Sequence, residues 1–375
     1  MTLYLPGGCN MMWLIILAVI LVIAVVGVIY LTGAITRFSF IQKAAGGRKW
    51  RSRLLSFVIL SLGFIAASAL LSVTNAIVVL IHLIVLFVIA GLIVRLTERI
   101  RKKAFGFYFQ GWLALVSTAV ILCVGYYLCN HVWMTQYDLT TAKENADLKI
   151  AVFSDSHIGT TFDGEGLAAH LDEISSQDPD ILLIPGDFVD DWSNKKDMLA
   201  ACKALGETDY PYGVWYAFGN HDEGHFASRD FTADELREAL RANGVHIMED
   251  DCALIDGRFN LIGRKDASQS PRKSPAELAA GIDLSKYTIM MDHQPNDYAN
   301  EAGYADLVVS GHTHGGQLIP IGIIGKLIGA FDRAYGWENR DGTDFIVTSG
   351  ISDWAILFKT GTKSEYLIIN VTHTS

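Results

Sequence analysis

Cysteine is scarce in this 375-residue chain. The five that occur, Cys9, Cys123, Cys129, Cys202 and Cys252, form no CxxC pair and no Cys/His ligand spacing, which argues against a structural zinc site. Cys202 and Cys252 are expected as free, partly buried thiols rather than a disulfide. Charge is missing from three long runs, residues 11–34, 54–94 and 107–134, none of which holds an Asp, Glu, Lys or Arg. A soluble helical bundle would not leave such runs bare. At roughly 20 apolar residues per span they read as four membrane spans, the middle run supplying two with Ser72-Val73-Thr74-Asn75 as the turn between them. Also missing are charged or Pro/Gly-broken midplane positions, which would mark a transport path. Anchoring is the simpler role. His82 and His131 are lone histidines in these runs, and such a residue is ordinarily satisfied by an interhelical hydrogen bond. Ahead of the first run there is no Lys or Arg, whereas a cleaved export signal needs a basic leader and a shorter apolar core, so this run is expected to be retained as a span. No internal repeat or low-complexity tract is present.

The charge that does occur is unevenly divided. Residues 1–147 hold 12 Lys and Arg against 4 Asp and Glu, and residues 148–375 hold 18 against 36, so a chain of net charge −10 is a +8 segment joined to a −18 segment. Arg37, Lys43, Arg48, Lys49, Arg51 and Arg53 lie between the first two spans, and Arg95, Arg99, Arg101, Lys102 and Lys103 between the last two. By the positive-inside rule both basic loops are cytoplasmic. The expectation is a multi-pass cell-membrane protein with its acidic C-terminal unit extracytoplasmic. That acidity repels polyanions, so no nucleic-acid partner is expected, and nothing implies a protein partner. The division is a membrane domain over residues 1–134, a polar linker over 135–147 and a catalytic domain over 148–375.

Beyond the linker the texture alternates. Residues 148–153, 181–184, 214–218, 287–291, 307–309, 345–348 and 366–371 read as strands, and 164–176, 195–205 and 232–242 as helices. Thr232 with Glu235 three residues on forms a capping box. Residues 253–255 and 259–262 flank Asp256-Gly257 as a hairpin. Alternation of this kind implies an α/β sheet structure covered by helices.

Polar residues collect just past the strands, where α/β sheets place their chemistry. Asp155-Ser156-His157, Gly186-Asp187, Gly219-Asn220-His221-Asp222, His293 and Gly311-His312-Thr313-His314 each follow an apolar run. In extended chain, residues i and i+2 point the same way, so Asp155 with His157, and His312 with His314, are expected to aim two ligands at one place. Asp155, His157, Asp187, Asn220, His293, His312 and His314 are the candidate metal ligands. If Asp187 bridges, they hold two divalent ions with four protein bonds each. Two such ions against two carboxylates leave charge for a bridging hydroxide and a phosphate oxygen. Mixed nitrogen and oxygen ligands suit manganese, the expected ion, or zinc or iron, better than magnesium or calcium. His221 is positioned to move a proton and Asp222 to hold its ring. Asp190 and Asp191 read as capping or solvated residues, and His170, His225 and His246 as surface or packing residues.

These motifs resemble the calcineurin-like metallophosphoesterases. The order DxH, GDxxD, GNHD, a lone His and GHTH stands here as Asp155-x-His157, Gly186 to Asp190, Gly219 to Asp222, His293 and Gly311 to His314. The resemblance implies a four-layer αββα sandwich. It assigns one ion to Asp155, His157, Asp187 and His314, and the other to Asp187, Asn220, His293 and His312. It implies attack on phosphorus by a hydroxide bridging the ions, with His221 assisting the leaving group. Asp292-His293-Gln294-Pro295 and Gly311 to Gln317 are similar to membrane-anchored bacterial phosphodiesterases, some of which cleave lipid-linked pyrophosphates. The alternative is a non-catalytic metal-binding sensor or scaffold on a membrane anchor, which loss of ligands would favour. None is lost. After His314 an apolar run, residues 318–331, is broken by Pro320 and glycines; it is expected to be a loop beside the metals with side chains packed into the domain. Were they exposed, they would enter the membrane interface and favour amphiphilic or lipid-linked phosphoesters.

Overall fold

The structure, a computed structural model, describes residues 11–224 and 229–374, so Cys9 and His225 lie outside the described residues. The chain divides between Cys123 and Val124 into two compact units. Uncharged apolar sequence forms α1 (Met11–Ile35), followed by a short α2 (Ser39–Ala44), then α3 (Lys49–Leu71), α4 (Val73–Arg101) and α5 (Phe109–Asn130), whose last residues belong to the second unit. Among the described residues α3, α4 and α5 are long and apolar enough to cross a membrane, and the apolar part of α1 described in full is Ala24–Ile35. The turn expected at 72–75 is Ser72 alone, whose hydroxyl caps α4 by accepting the Asn75 amide at 3.2 Å. His82 Nδ1 lies 2.8 Å from the Val78 carbonyl of its own helix.

The second unit continues with β1 (Val132–Thr141), β2 (Leu148–Val152), α6 (Gly164–Ser175), β3 (Ile181–Pro185), α7 (Lys195–Gly206), β4 (Val214–Ala217), α8 (Ala233–Ala242) and β5 (His246–Met248). Next come β6 (Asp251–Ile255), β7 (Phe259–Gly263), α9 (Pro275–Ala279), β8 (Tyr287–Met291), α10 (Tyr298–Glu301) and β9 (Leu307–Ser310). It closes with α11 (Ile321–Leu327), β10 (Gly336–Arg340), β11 (Thr343–Val347) and β12 (Ser364–His373). One six-stranded sheet has the order β1-β12-β2-β3-β4-β5 and the other β10-β11-β9-β8-β7-β6. Both are mixed: β2, β3, β4 and β5 run parallel, as do β7, β8, β9 and β11, while β12 opposes β2 and β6 opposes β7.

Period-two alternation sorts the strand residues into layers. Ile150 and Val152 face the core between the sheets with Leu183, Ile289 and Leu307. Ala151 and Phe153 face outward against Leu167 and Leu171 of α6, Met198 and Leu205 of α7 and Leu236 and Leu240 of α8. On the far side Leu278 and Tyr298, from α9 and α10, cover Ile262, Met290 and Val308. The result is the four-layer αββα sandwich. Burial of each aliphatic side chain contributes about 1.5–3 kcal/mol. The capping box of α8 forms as expected between Thr232 and Glu235. Cys202 is buried on α7 and Cys252 half-buried on β6, both as free thiols.

Three local expectations are corrected. Residues 135–147 are not a linker: β1 occupies most of them, paired in parallel with β12 from Val132↔Ser364 to Thr141↔His373. Gln136, Asp138 and Thr140 sit on an exposed face while Leu139 enters the inter-sheet core, so edge-strand alternation had the look of a linker. The run after His314 contains a short helix, α11, where a loop was expected; its glycines cost helix stability without preventing two turns. Its side chains are not packed inward. Ile323 and Leu327 are 64% and 80% exposed.

Candidate metal centre

Five strands, β2, β3 and β4 from one sheet and β8 and β9 from the other, end on the same side of the sandwich. Asp155, Asp187, Asn220, His293 and His312 follow them by two or three residues each. Loop backbones are tied across this edge. The amides of Asp155 and His157 donate to the carbonyls of Gly186 and Asp187 at 3.1 and 3.2 Å, and Gly311 donates to His293 at 3.0 Å. Gly186 is obligatory: its φ is 89°, and a Cβ there would lie 2.6 Å from the Gly219 nitrogen and 2.8 Å from His293 Nδ1.

The paired ligands do not converge by strand alternation. Asp155, His157, Asp187, His312 and His314 have φ of 53°, 38°, 54°, 69° and 47°, all in the left-handed region that non-glycine residues avoid. Backbone strain is concentrated where the ligands stand, and the surrounding packing holds it there.

Two groups result, buried Asp155 with His157 and His314, and buried Asp187 and His293 with half-buried His312, the candidate ligand atoms of each lying within 4.8 Å of one another. The groups adjoin. Asp187 Oδ2 is 3.0 Å from His293 Nε2 and 3.9 Å from His157 Nε2, and His157 Nε2 is 3.3 Å from His314 Nε2. His293 tests the fit to a metal: its Nδ1 lies 2.8 Å from the Pro185 carbonyl, which fixes a proton there, so its buried Nε2 is the ring atom that meets the Asp187 carboxylate. Without a cation Nε2 keeps a proton toward Asp187, 3.0 Å away, and it is the ring atom a cation would take in that proton's place. This donor set fits divalent cations.

Carboxylates stand behind two of the other rings. His157 Nδ1 faces Asp190 Oδ2 at 3.7 Å, and His314 Nδ1 faces Asp353 Oδ1 at 3.8 Å. Asp190 caps its own turn, accepting the amides of Trp192 and Ser193 at 2.7 and 3.0 Å, but it is buried rather than solvated. Asp353 is wholly buried between Cys129, whose thiol donates to Oδ2 at 2.5 Å, and Lys359, whose ammonium lies 3.7 Å from Oδ1. No spacing in the sequence links residues 314 and 353; a lone Asp in a glycine- and serine-rich segment was the only sign.

Burial and the neighbouring charges set the electrostatics of these side chains. Burial pushes the Asp187 carboxyl up to about 7 against the pull of His293. Burial also lowers His312 to about 3 and His157 well below the usual imidazole value. Burial disfavours charge on His293 as well, yet Asp187 and Asp155 beside it hold its pKa well above the ordinary value. Divalent charge reverses this balance, since it stabilises the ionised carboxylate and takes up neutral imidazole.

The calcineurin-like phosphoesterase family model matches residues 148–316. An uncharacterized metallophosphoesterase of Aquifex aeolicus is 30% identical over 225 residues, covering 58% of this chain and 82% of that protein. The chain is a calcineurin-like metallophosphoesterase. A second uncharacterized metallophosphoesterase, from Campylobacter jejuni, is 30% identical over 60% of this chain and 59% of its own length. This metallophosphoesterase thus spans about three fifths of that relative. A Danio rerio protein named as a transmembrane protein with a metallophosphoesterase domain is 26% identical over 70% of this chain and 62% of its own.

For this metallophosphoesterase the role expected of Asp222 is corrected. Its carboxylate does not hold the His221 ring. Oδ2 accepts the amides of Asp187 and Gly219, both at 2.8 Å, and Oδ1 those of Phe188 and Val189 at 2.9 and 3.1 Å. Asp222 therefore pins the turn that carries Asp187. The His221 amide donates to Asp187 Oδ1 at 2.8 Å, and its ring lies 5.1 Å from that of His157 and 5.4 Å from that of half-exposed Trp354. Asn220 sits on the same turn, between Gly219 and His221.

Proposed function

We propose that this metallophosphoesterase binds two divalent ions, manganese first among the candidates, and hydrolyses a phosphoester while anchored in the cell membrane with its catalytic unit outside the cytoplasm. The observation that carries the dinuclear reading is Asp187, one of whose oxygens faces a ligand from each group, 3.0 Å from His293 and 3.9 Å from His157. Asp155, His157 and His314 would hold one ion and Asn220, His293 and His312 the other, with Asp187 common to both. Such ions acidify water and neutralise charge on phosphoryl oxygens when bound. The chain's own part is orientation and proton transfer. His221, beside His157 and outside both groups, is placed to donate a proton to the departing oxygen. The basic residues at 37–53 and 95–103 support the orientation.

Metal content and hydrolysis of purified variants test these roles. Asp187→Asn should lose metal and activity together. His221→Ala should retain metal and lose rate by roughly 10² to 10⁴, the usual range for general acid catalysis. An emptied site in His221→Ala would place that residue among the ligands and refute the assignment.

A further inference from the structure

The apolar segment that follows His314 is turned outward. Ile319, Ile321, Ile323, Ile324, Leu327 and Ile328 are between 49% and 80% exposed, on a helix of seven residues and its flanks. Water-facing chain does not gather six large aliphatic side chains in ten positions without something to cover them. Lys326 lies among them as a cation whose stem can lie along apolar surface. Beneath the helix runs a groove of about 570 Å³ whose walls include Gly315, Gly316, Leu318, Ile323, Leu327 and Tyr335. Gly315 and Gly316 directly follow His314, so the groove begins beside the metal ligands.

Hydrogen bonds within the second unit show what adjoins this surface. The carbonyl of Gly125, in the last turns of α5, accepts the Lys359 amide at 3.0 Å. The next residue, Thr360, donates its amide to the Gln317 carbonyl at 2.9 Å, and its hydroxyl accepts the Ile319 amide at 3.0 Å. The apolar segment is thus tied through two residues to the end of an apolar span. Exposed Tyr126 and Tyr127 lie on that end, and the Tyr127 ring stacks on His131, which meets Trp133 edge-on. Aromatic side chains of this kind mark the level of a membrane–water interface.

We infer that α11 and its flanks lie in the surface of the membrane that α5 enters, and that the groove takes the long apolar chain of an amphiphilic phosphoester whose phosphate reaches the metal centre. The occupant is an acyl- or prenyl-like chain supplied by the bilayer. This rests on the phosphoesterase reading for its second half, but not for the lipid contact.

The test uses the full chain in phosphatidylcholine nanodiscs. An environment-sensitive bimane label on Leu327→Cys is compared with the same label on Leu254→Cys, a 54% exposed leucine of β6, with and without doxyl-labelled lipid. Quenching several-fold stronger at residue 327 is expected, and equal quenching at the two sites overturns the lipid contact. Manganese-loaded protein is then given hexadecyl and methyl p-nitrophenyl phosphate, which differ only in the apolar chain. Ile323→Ser with Leu327→Ser should lower the ratio of kcat/KM for the long ester over the short one about tenfold, as loss of apolar contact along one chain implies. An unchanged ratio overturns the groove assignment. If the unmodified chain hydrolyses neither ester, the hydrolytic reading fails with it, and the lipid contact stands or falls on the quenching alone.

Discussion

Replacing Asp222 by Asn separates a scaffold residue from a catalytic one. The carboxylate accepts four buried backbone N–H groups at 2.8 to 3.1 Å, from Asp187, Phe188, Val189 and Gly219. Asparagine keeps one acceptor oxygen, enough for two of these donors, and turns an NH2 toward the other two. A buried donor without a partner costs about 1–3 kcal/mol, so the substitution should destabilise the unit by about 2–6 kcal/mol. That is a large share of the roughly 5–15 kcal/mol that holds a typical domain together. Alanine, with all four donors orphaned, is expected not to fold. Because the same turn carries Asp187, the bridging ligand should be displaced along with the stability. The assay is thermal denaturation of the full chain in detergent, with metal content measured on the same samples. The melting temperature and bound manganese should fall together. An Asp222→Asn protein that kept both and lost only turnover would refute the scaffold role and restore the expectation that this carboxylate holds the His221 ring.

Asp353→Asn should weaken manganese affinity about 10- to 100-fold, the usual effect of removing a carboxylate from behind a ligating histidine, as measured by metal titration; unaltered affinity would remove Asp353 from that role. Arg264 is buried with its guanidinium 2.7, 2.9 and 2.8 Å from Asp292, Asp297 and Glu301, so Arg264→Met should cost about 3–5 kcal/mol by stranding carboxylates beside His293, read by denaturation midpoint. Metal binding near pH 7 should release about one proton or more, because the raised pKa of His293 keeps its ring protonated until a cation displaces that proton. Calorimetry in two buffers of different ionisation enthalpy reads this number, and zero release would contradict it. A membrane-impermeant thiol reagent on intact cells should label Leu254→Cys above background and leave Lys103→Cys unlabelled; the reverse would put the metal centre in the cytoplasm.

The sequence by itself determined most of the elements and the set of candidate ligands. Apolar runs without charge could only be spans or buried core, and five short β-rich runs stopped at a glycine or a polar residue whose chemistry suits a metal. Asp155, His157, Asp187, His293, His312 and His314 were legible because motif and strand end coincide, and the structure gathers them into two adjoining groups. What only the tertiary structure decided are relations between distant residues. β1 is a strand because β12, more than 220 residues on, offers its edge from Ser364 to His373. The ligand pairs point together through left-handed backbone that local preference disfavours and only the surrounding packing sustains. Asp190 and Asp353 acquire their places behind His157 and His314 from the folding of separate loops, and Asp222 serves the turn of Asp187 rather than its own neighbour. Apolar character showed that residues 318–331 avoid water. Which surroundings they find depends on what stands beside them, and the fold sets Ile319 against Thr360, next to Lys359, whose amide bonds the last turns of α5, and leaves the apolar side chains of α11 facing outward.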